Sequence, residues 1–254
     1  MQTVNLAKTV DAYRALSVRN QLLKIARLAF LFKEKRKKQR SESFPIVAAA
    51  IAKGLTVVDT VAHKQSFLFE MLYWEQYNGK LITFQYNTRV YKDLLRLQQL
   101  LRIKNVIVQP ALITAKNFEG NSFATTKKSS AAVIDFITQT RKAVPEQSVN
   151  TLDSYCFTNN IVPALLKIGV NGNEVNVLEG AIQIIEKHKP AILIECGEKT
   201  ARHETLPATF KLLSDLNYSG YFLLNSLKIP LRDFDFNTYR NEIMGFYCNT
   251  FYFK

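Results

Sequence analysis

The segment VVDTVAHKQSF, residues 57–67, carries the signal that decides the fold. Two β-branched residues run directly into Asp59, which is typical of a buried parallel strand that delivers an acid to a nucleotide-binding turn. None of the eight residues that follow Asp59 is glycine, although such turns use glycine to bring the backbone close to a ligand. The segment therefore leaves two interpretations: a nucleotide-binding loop that has lost its glycines, or a loop that never bound a nucleotide.

Strand and helix patterns alternate on both sides of this segment. Strand patterns occupy 55–59, 80–84, 105–113, 164–170 and 191–196, and helical patterns occupy 66–77, 88–103, 174–188 and 205–216. This alternation indicates right-handed crossovers and a parallel sheet. Three more strand patterns, YSGYFLL, SLKIPL and NTFYFK, follow without an intervening helix. We therefore predict an α/β, Rossmann-like fold: a mostly parallel twisted sheet with helices on both faces and an antiparallel C-terminal edge.

The first 43 residues differ in composition from the rest of the chain. Apolar side chains recur there at close to helical spacing, and residues 33–40 form the charge run KEKRKKQR. With eleven basic and three acidic residues, this segment carries +8 of the total formal charge of +13. We predict a basic amphipathic helical extension at 1–43 and a single folded domain at 44–254.

The extension has two interpretations that the sequence leaves open. It either docks on its own domain and ends in a solvated tail, or it binds an acidic protein partner or an acidic membrane surface. Nucleic acid is disfavoured as a partner because the segment has few aromatic residues for base stacking and the remainder of the chain is nearly ordinary in charge.

Cysteine usage and hydropathy suggest where the protein resides. The chain has three cysteines, far apart, with no CxxC pair and no His/Cys cluster at metal-ligand spacing. We expect buried thiols, no metal and a reducing compartment. No run of 18 apolar residues occurs, and the N-terminus lacks the pattern of an export signal. The expected location is cytoplasmic, with peripheral membrane attachment through 1–43 as the open alternative.

Four stretches carry a resemblance to a known family. They are VVDTVAHKQSF, KLITFQYNTRVYKDLLRLQQ, LLKIGVNGNEVNVLEGA and HKPAILIEC. In order and spacing they resemble VxDxGAxxGxF, VxAFEPxPxxxxxLxxN, IKxDVEGxExxVLxGA and KPxxLxE of the FkbM family of S-adenosylmethionine-dependent methyltransferases. The resemblance covers roughly residues 54–200 and implies a class I methyltransferase fold, with S-adenosylmethionine as the cofactor if the chain is active.

The chain departs from this family pattern at the positions that the resemblance assigns to chemistry. Val61 and Gln65 replace the two glycines of the first loop, and Gln85 replaces the acid that would bind both ribose hydroxyls. Gly169 and Asn171 replace an Asp and a Glu after the fourth strand. Losing the charged acceptor at position 85 alone should weaken cofactor binding by about 2 kcal/mol, or roughly thirtyfold.

The resemblance also implies a set of site residues. Asp59, Ala62 and Gln85 are the predicted cofactor contacts, and Glu195 and His63 are the predicted catalytic candidates. Asp59, His63 and Glu195 are expected to face one crevice. These three residues also have structural alternatives: Asp59 caps the next turn, His63 is solvated or hydrogen-bonded, and Glu195 simply ends a strand.

Two functions follow from these residues. The favoured interpretation is a catalytically degenerate methyltransferase-fold protein that acts as a binding or interaction module, because the glycines, the ribose acid and both edge acids are missing together. The alternative is an active O-methyltransferase acting on a hydroxyl of a sugar, lipid or small metabolite, since methyl transfer needs alignment more than strong acid or base catalysis.

Overall fold

The structure is a computed structural model that describes residues 42–61, 77–100, 103–116, 148–170, 172–196, 205–224, 227–241 and 246–254. Within these residues the helices are α1 (Phe44–Ala52), α2 (Thr88–Leu100), α3 (Leu152–Thr158), α4 (Glu174–Glu179), α5 (Ile182–His188), α6 (Thr205–Asp215) and α7 (Phe236–Tyr239). The strands are β1 (Thr56–Asp59), β2 (Lys80–Phe84), β3 (Val106–Gln109), β4 (Ala111–Ile113), β5 (Ser148–Asn150), β6 (Leu165–Ile168), β7 (Ala191–Glu195), β8 (Gly220–Leu224), β9 (Leu227–Pro230), β10 (Arg240–Asn241), β11 (Phe246–Tyr247) and β12 (Thr250–Phe253).

Eight strands form the main sheet in the order β3-β2-β1-β6-β7-β12-β8-β9. The first five of these run parallel to one another. Strand β12 is antiparallel to both of its neighbours, and β9 is antiparallel to β8. The predicted Rossmann-like fold, with its parallel body and antiparallel C-terminal edge, is confirmed.

Helices cover both faces of the sheet because the parallel strands are buried on both sides. One face packs against α1 and α2 through residues such as Val57 and Leu165. The other packs against α3, α4, α5 and α6 in a larger apolar core that includes Val58 and Leu166. Successive residues of a strand alternate between these cores, as the pleat requires.

Two predicted elements are interrupted in the structure. The strand expected at 105–113 divides at Pro110 into β3, in the main sheet, and β4, which pairs with β5; proline has no N–H for a continuous ladder. The helix expected at 174–188 divides into α4 and α5 because Ala181 leaves the helical conformation, with φ near −126°. Gly180 lies at this break and packs closely, since a Cβ there would lie 2.3 Å from the backbone oxygen of Thr114. The helix expected at 66–77 lies almost entirely outside the described residues.

The structure tests some of the expectations about cysteines, membrane helices and domain division. Cys156, Cys196 and Cys248 are free and buried, as predicted. Among the described residues no helix is long and apolar enough to cross a membrane. Residues 1–41 lie outside the description, so the division into an extension at 1–43 and a domain at 44–254 stays a prediction.

Candidate functional site

The sheet has a topological switch point between β1 and β6. From β1 the chain builds outward to β2 and β3 on one side, and from β6 it builds to β7 on the other. In open α/β sheets a crevice for ligands forms at the carboxyl ends of the strands at this point. Asp59 ends β1 and Glu195 ends β7, so the topology brings two of the predicted site residues to the same edge.

A buried lysine links these two acids. Lys167 of β6 is the register partner of Asp59. Its Nζ lies 2.8 Å from Glu195 Oε2 and 3.4 Å from Asp59 Oδ1. The side chains of Lys167, Asp59 and Glu195 are only 8%, 3% and 18% exposed. We call these three residues the carboxyl-edge triad. The Lys167 ammonium compensates carboxylate charges whose burial would otherwise cost several kcal/mol each.

The second carboxylate oxygen of Glu195 is also engaged. The hydroxyl of Ser43, which is buried just ahead of α1, donates a hydrogen bond to Glu195 Oε1. Helix α1 packs on the face of the sheet that carries Val57 and Leu165. The residue immediately before α1 is therefore fixed to the carboxyl edge, and each oxygen of Glu195 has a partner within the chain.

Asp59 holds the turn that follows β1. Its Oδ1 accepts a hydrogen bond from the backbone N–H of Val61 at 3.3 Å, which is the capping role foreseen as its structural alternative. Thr60 closes the turn against β6: its N–H donates to Lys167 O at 2.9 Å, and its Oγ1 accepts from Gly169 N–H at 3.3 Å. Val61 is not among the described residues with positive φ, so the valine imposes no left-handed strain here.

Gln85 lies directly after β2 and is buried. Its Oε1 accepts a hydrogen bond from the backbone N–H of Asn87 at 2.8 Å. The Oδ1 of Asn87 in turn accepts from the N–H groups of Arg89 and Val90 in the first turn of α2. Gln85, at the predicted ribose position, therefore uses its one acceptor oxygen to stabilise the turn that leads into α2.

Glu174, like Gln85, uses its side-chain oxygen to accept a backbone N–H of a nearby turn. It begins α4, is buried, and its Oε1 accepts a hydrogen bond from the N–H of Gly172 at 2.9 Å. Gly172 has φ near +97°, a conformation that favours glycine. The carboxylate stabilises this sharp turn and the positive end of the helix dipole.

The structure describes the positions of three of the five predicted site residues. Asp59 and Glu195 meet through Lys167, and Gln85 lies one strand further along the same edge. His63 and Ala62 lie outside the described residues. Among the described residues, no group of three or more His, Cys, Asp or Glu could hold a metal ion.

Lys167 and Ser43 were not predicted as site residues. A signal for Lys167 was present, because a lysine inside the otherwise apolar strand LLKI needs a buried anion as partner. Nothing in the sequence indicated Ser43, which is separated from Glu195 by 152 positions.

The described residues do not fit S-adenosylmethionine well. The resemblance places the acceptor for both ribose hydroxyls at the end of β2, where Gln85 offers one uncharged amide oxygen that also accepts the Asn87 N–H. Asp59 is bound to Lys167 and to the Val61 N–H. An acid at position 85 would provide the missing charge-assisted acceptor.

Comparison with known proteins identifies the family. The family model described as the methyltransferase FkbM domain matches residues 59–219, which is more than half of the chain. No curated protein sequence matches the chain.

Several solved structures align with the chain at low identity. A methyltransferase FkbM from Methylobacillus flagellatus KT aligns at 15% identity and TM-score 0.49, over 79% of this chain and 43% of that chain. A SAM-dependent O-methyltransferase from Thermotoga maritima aligns at 9% identity and TM-score 0.41, over 87% of this chain and 69% of that one. A precorrin-6y C5,15-methyltransferase from Geobacter metallireducens GS-15 aligns at 14% identity and TM-score 0.39, over 85% and 86%. The chain thus spans less than half the length of the Methylobacillus protein.

Proposed function

Because the chain belongs to the FkbM methyltransferase family, we propose that it is a catalytically degenerate member that retains the fold and acts as a binding or interaction module. The observation that carries this proposal is the pattern of retained and lost acids. Asp59, Glu195 and Glu174 match the family pattern, and each is engaged by a contact within the chain. The family positions where this chain has Gln85 and Gly169 carry acids that the resemblance assigns to cofactor or substrate.

The retained acids have a structural reason to persist. Removing one partner of a buried ion pair leaves an uncompensated charge and costs about 3–5 kcal/mol. The carboxyl-edge triad would therefore be retained for stability whether or not catalysis is needed. No comparable penalty protects a ligand-facing acid, because its loss affects binding and leaves the fold intact.

The docking element that we propose for this module is the basic segment 1–43. It carries +8 of the formal charge of +13, which favours an acidic protein surface or an acidic membrane surface. Its attachment point is well placed, since Ser43 contacts Glu195 at the carboxyl edge. A partner bound by the extension would thus lie near the crevice.

The second candidate is an active O-methyltransferase acting on a hydroxyl of a sugar, lipid or small metabolite. The observation that favours it is the switch point between β1 and β6, which retains the topology of a cofactor crevice. Methyl transfer gains much of its rate from alignment, so an enzyme could tolerate weak acid and base groups. In that case S-adenosylmethionine would supply the methyl group, and Asp59, Ala62 and Gln85 would be the residues that hold it.

Isothermal titration with S-adenosylmethionine and with its demethylated product separates the two candidates. The degenerate module should give no measurable heat with either ligand. The variant Val61→Gly/Gln85→Glu restores the glycine and the acid of the family pattern. It is expected to gain binding because glycine lets the backbone approach the cofactor closely and the acid is a charged acceptor for the ribose hydroxyls. Gln85→Glu alone serves as the matched single change. Micromolar binding by the unmodified chain would contradict the proposal, and methyl transfer to any acceptor would establish the second candidate.

A further inference from the structure

The edge of the sheet opposite the crevice carries a row of lysines. Lys53, Lys80 and Lys104 lie just before or at the start of β1, β2 and β3, which are adjacent parallel strands. The Lys80 N–H donates to Leu55 O at 3.1 Å, which fixes the loop before β1 beside the start of β2. Neighbouring strands are about 4.8 Å apart. The three lysines therefore follow one another along one edge.

The charge of this row is not compensated locally. All three lysine side chains are exposed, and in the described part of the chain none of them forms an ion pair. The described loops of this edge at 52–55, 77–79, 103–105 and 158–164 contain no Asp or Glu. Among the residues that the structure describes, three like charges thus lie on adjacent strands without a neighbouring carboxylate, and this gives the edge a positive potential.

Exposed aliphatic side chains lie within the same edge. Leu55 is 40% exposed and Val162 is 60% exposed. They precede β1 and β6, which pair directly, so they are neighbours on the surface. Gly54, at φ near +77°, makes the tight turn that presents Leu55. Leu55, Val162, Lys53, Lys80 and Lys104 together form what we call the amino-edge surface.

We propose that the amino-edge surface docks on an anionic lipid bilayer. Peripheral proteins bind such membranes by combining two contacts. Lysines contact the acidic headgroups, and a few aliphatic side chains among them contact the apolar part of the bilayer. A nucleic acid would use the lysines but would gain little from Leu55 and Val162, since single-strand binding relies on aromatic platforms. This surface is separate from the segment 1–43, and its role does not depend on whether the crevice binds a cofactor.

Vesicle flotation of the full chain tests this proposal. Phosphatidylcholine vesicles with phosphatidylserine should bind the protein, and vesicles without phosphatidylserine should not. The variant Lys53→Gln/Lys80→Gln/Lys104→Gln should weaken binding roughly 100-fold, because each lysine near an anionic surface contributes about fivefold. The variant Leu55→Ser/Val162→Ser keeps the charge and should weaken binding roughly tenfold.

The matched control is Lys92→Gln/Lys116→Gln/Lys228→Gln. These lysines are also exposed, lie on other parts of the fold and remove the same total charge. This variant should lose less than about tenfold in binding. All variants retain residues 1–43, so any contribution of that segment is common to them, and circular dichroism checks that each remains folded.

Three results would overturn the proposal. If the unmodified chain fails to bind anionic vesicles, the surface has no lipid role. If the amino-edge lysine variant and the control lysine variant lose vesicle affinity equally, binding depends on net charge or on the N-terminal segment and not on the amino-edge surface. Undiminished binding by Leu55→Ser/Val162→Ser would identify a general polyanion surface, for which RNA or an acidic protein is the better partner.

Discussion

Lys167 Nζ lies 2.8 Å from Glu195 Oε2, and this contact joins the ends of two neighbouring parallel strands, β6 and β7. The same ammonium reaches Asp59 at 3.4 Å on the other side, so one cation stabilises two carboxylates across three strands. Asp59 also accepts the Val61 N–H, and Glu195 also accepts the Ser43 hydroxyl, so both acids are engaged by partners within the chain.

Lys167→Met should destabilise the protein strongly. The change leaves Asp59 and Glu195 buried without their cation, and breaking a buried pair in this way costs about 3–5 kcal/mol. Urea denaturation measures the loss in the free energy of unfolding. The triple change Lys167→Met/Asp59→Asn/Glu195→Gln is the control and should recover much of that loss, because no unpaired charge then remains. A loss below about 1 kcal/mol in Lys167→Met would show that the triad is solvated.

Much of the fold was predictable because its signals are local. Strands such as β2 and β7 are short apolar runs bounded by polar residues, and their alternation with helical patterns specifies a parallel sheet. The division of the helix expected at 174–188 into α4 and α5 was harder to predict. Gly180 is visible in the sequence, but only the structure shows that its Cβ would lie 2.3 Å from Thr114 O.

The site was less predictable because its contacts are long-range. Asp59 and Lys167 are 108 positions apart, and Ser43 and Glu195 are 152 apart. The sequence indicates that each acid lies at the edge, since each ends a strand, but it does not specify which cation neutralises it. Local capping by Asp59 was foreseen because it involves a residue only two positions away.

Gly180→Ala should destabilise the domain through steric overlap. The added Cβ would lie 2.3 Å from Thr114 O, a backbone atom that cannot rotate away. Such overpacking typically costs about 1–3 kcal/mol. The urea midpoint should fall accordingly. Glu179→Ala, at the exposed preceding residue, is the control and should change the free energy of unfolding by less than about 0.5 kcal/mol. Equal midpoints for the two variants would mean that α4 can shift away from Thr114.

Asp153 should stabilise the start of α5 from the neighbouring helix. Its carboxylate accepts from the N–H of Ile184 at 2.8 Å and of Gln183 at 3.1 Å. Asp153→Ala leaves both groups without this acceptor and should cost about 1–2 kcal/mol, as the loss of a helix cap does. Asp153→Asn is the matched control and retains one acceptor oxygen, so its loss in thermal or urea stability should be smaller. Equal losses would assign the effect to charge and not to the hydrogen bonds.

Asp153 should also contribute a recognisable pH dependence. Burial is the largest influence on this carboxyl and raises its pKa above the ordinary value of 3.8. A raised pKa means that the folded state binds more protons than the unfolded state just above pH 3.8, so stability falls as pH rises through that window. Relative to Asp153→Asn, the unmodified protein should therefore gain stability as pH is lowered from neutral towards about 4. If the difference in the free energy of unfolding between the unmodified protein and Asp153→Asn does not change with pH, burial does not raise the pKa of Asp153.

The thiol of Cys156 should be unreactive in the native protein. Burial raises its pKa from 9.0 to about 12, and the thiolate is the reactive form. Dithionitrobenzoate at pH 8 should therefore label Cys156 only after unfolding in guanidinium. The folded state retains this proton above the unfolded pKa of 9.0, so its contribution to stability should decline as pH rises from 9.0 towards about 12. Cys156→Ala should flatten that decline, leaving a residual slope from Tyr218, whose pKa burial also raises to about 12. Rapid labelling of the native Cys156 thiol at pH 8 would show that α3 opens readily.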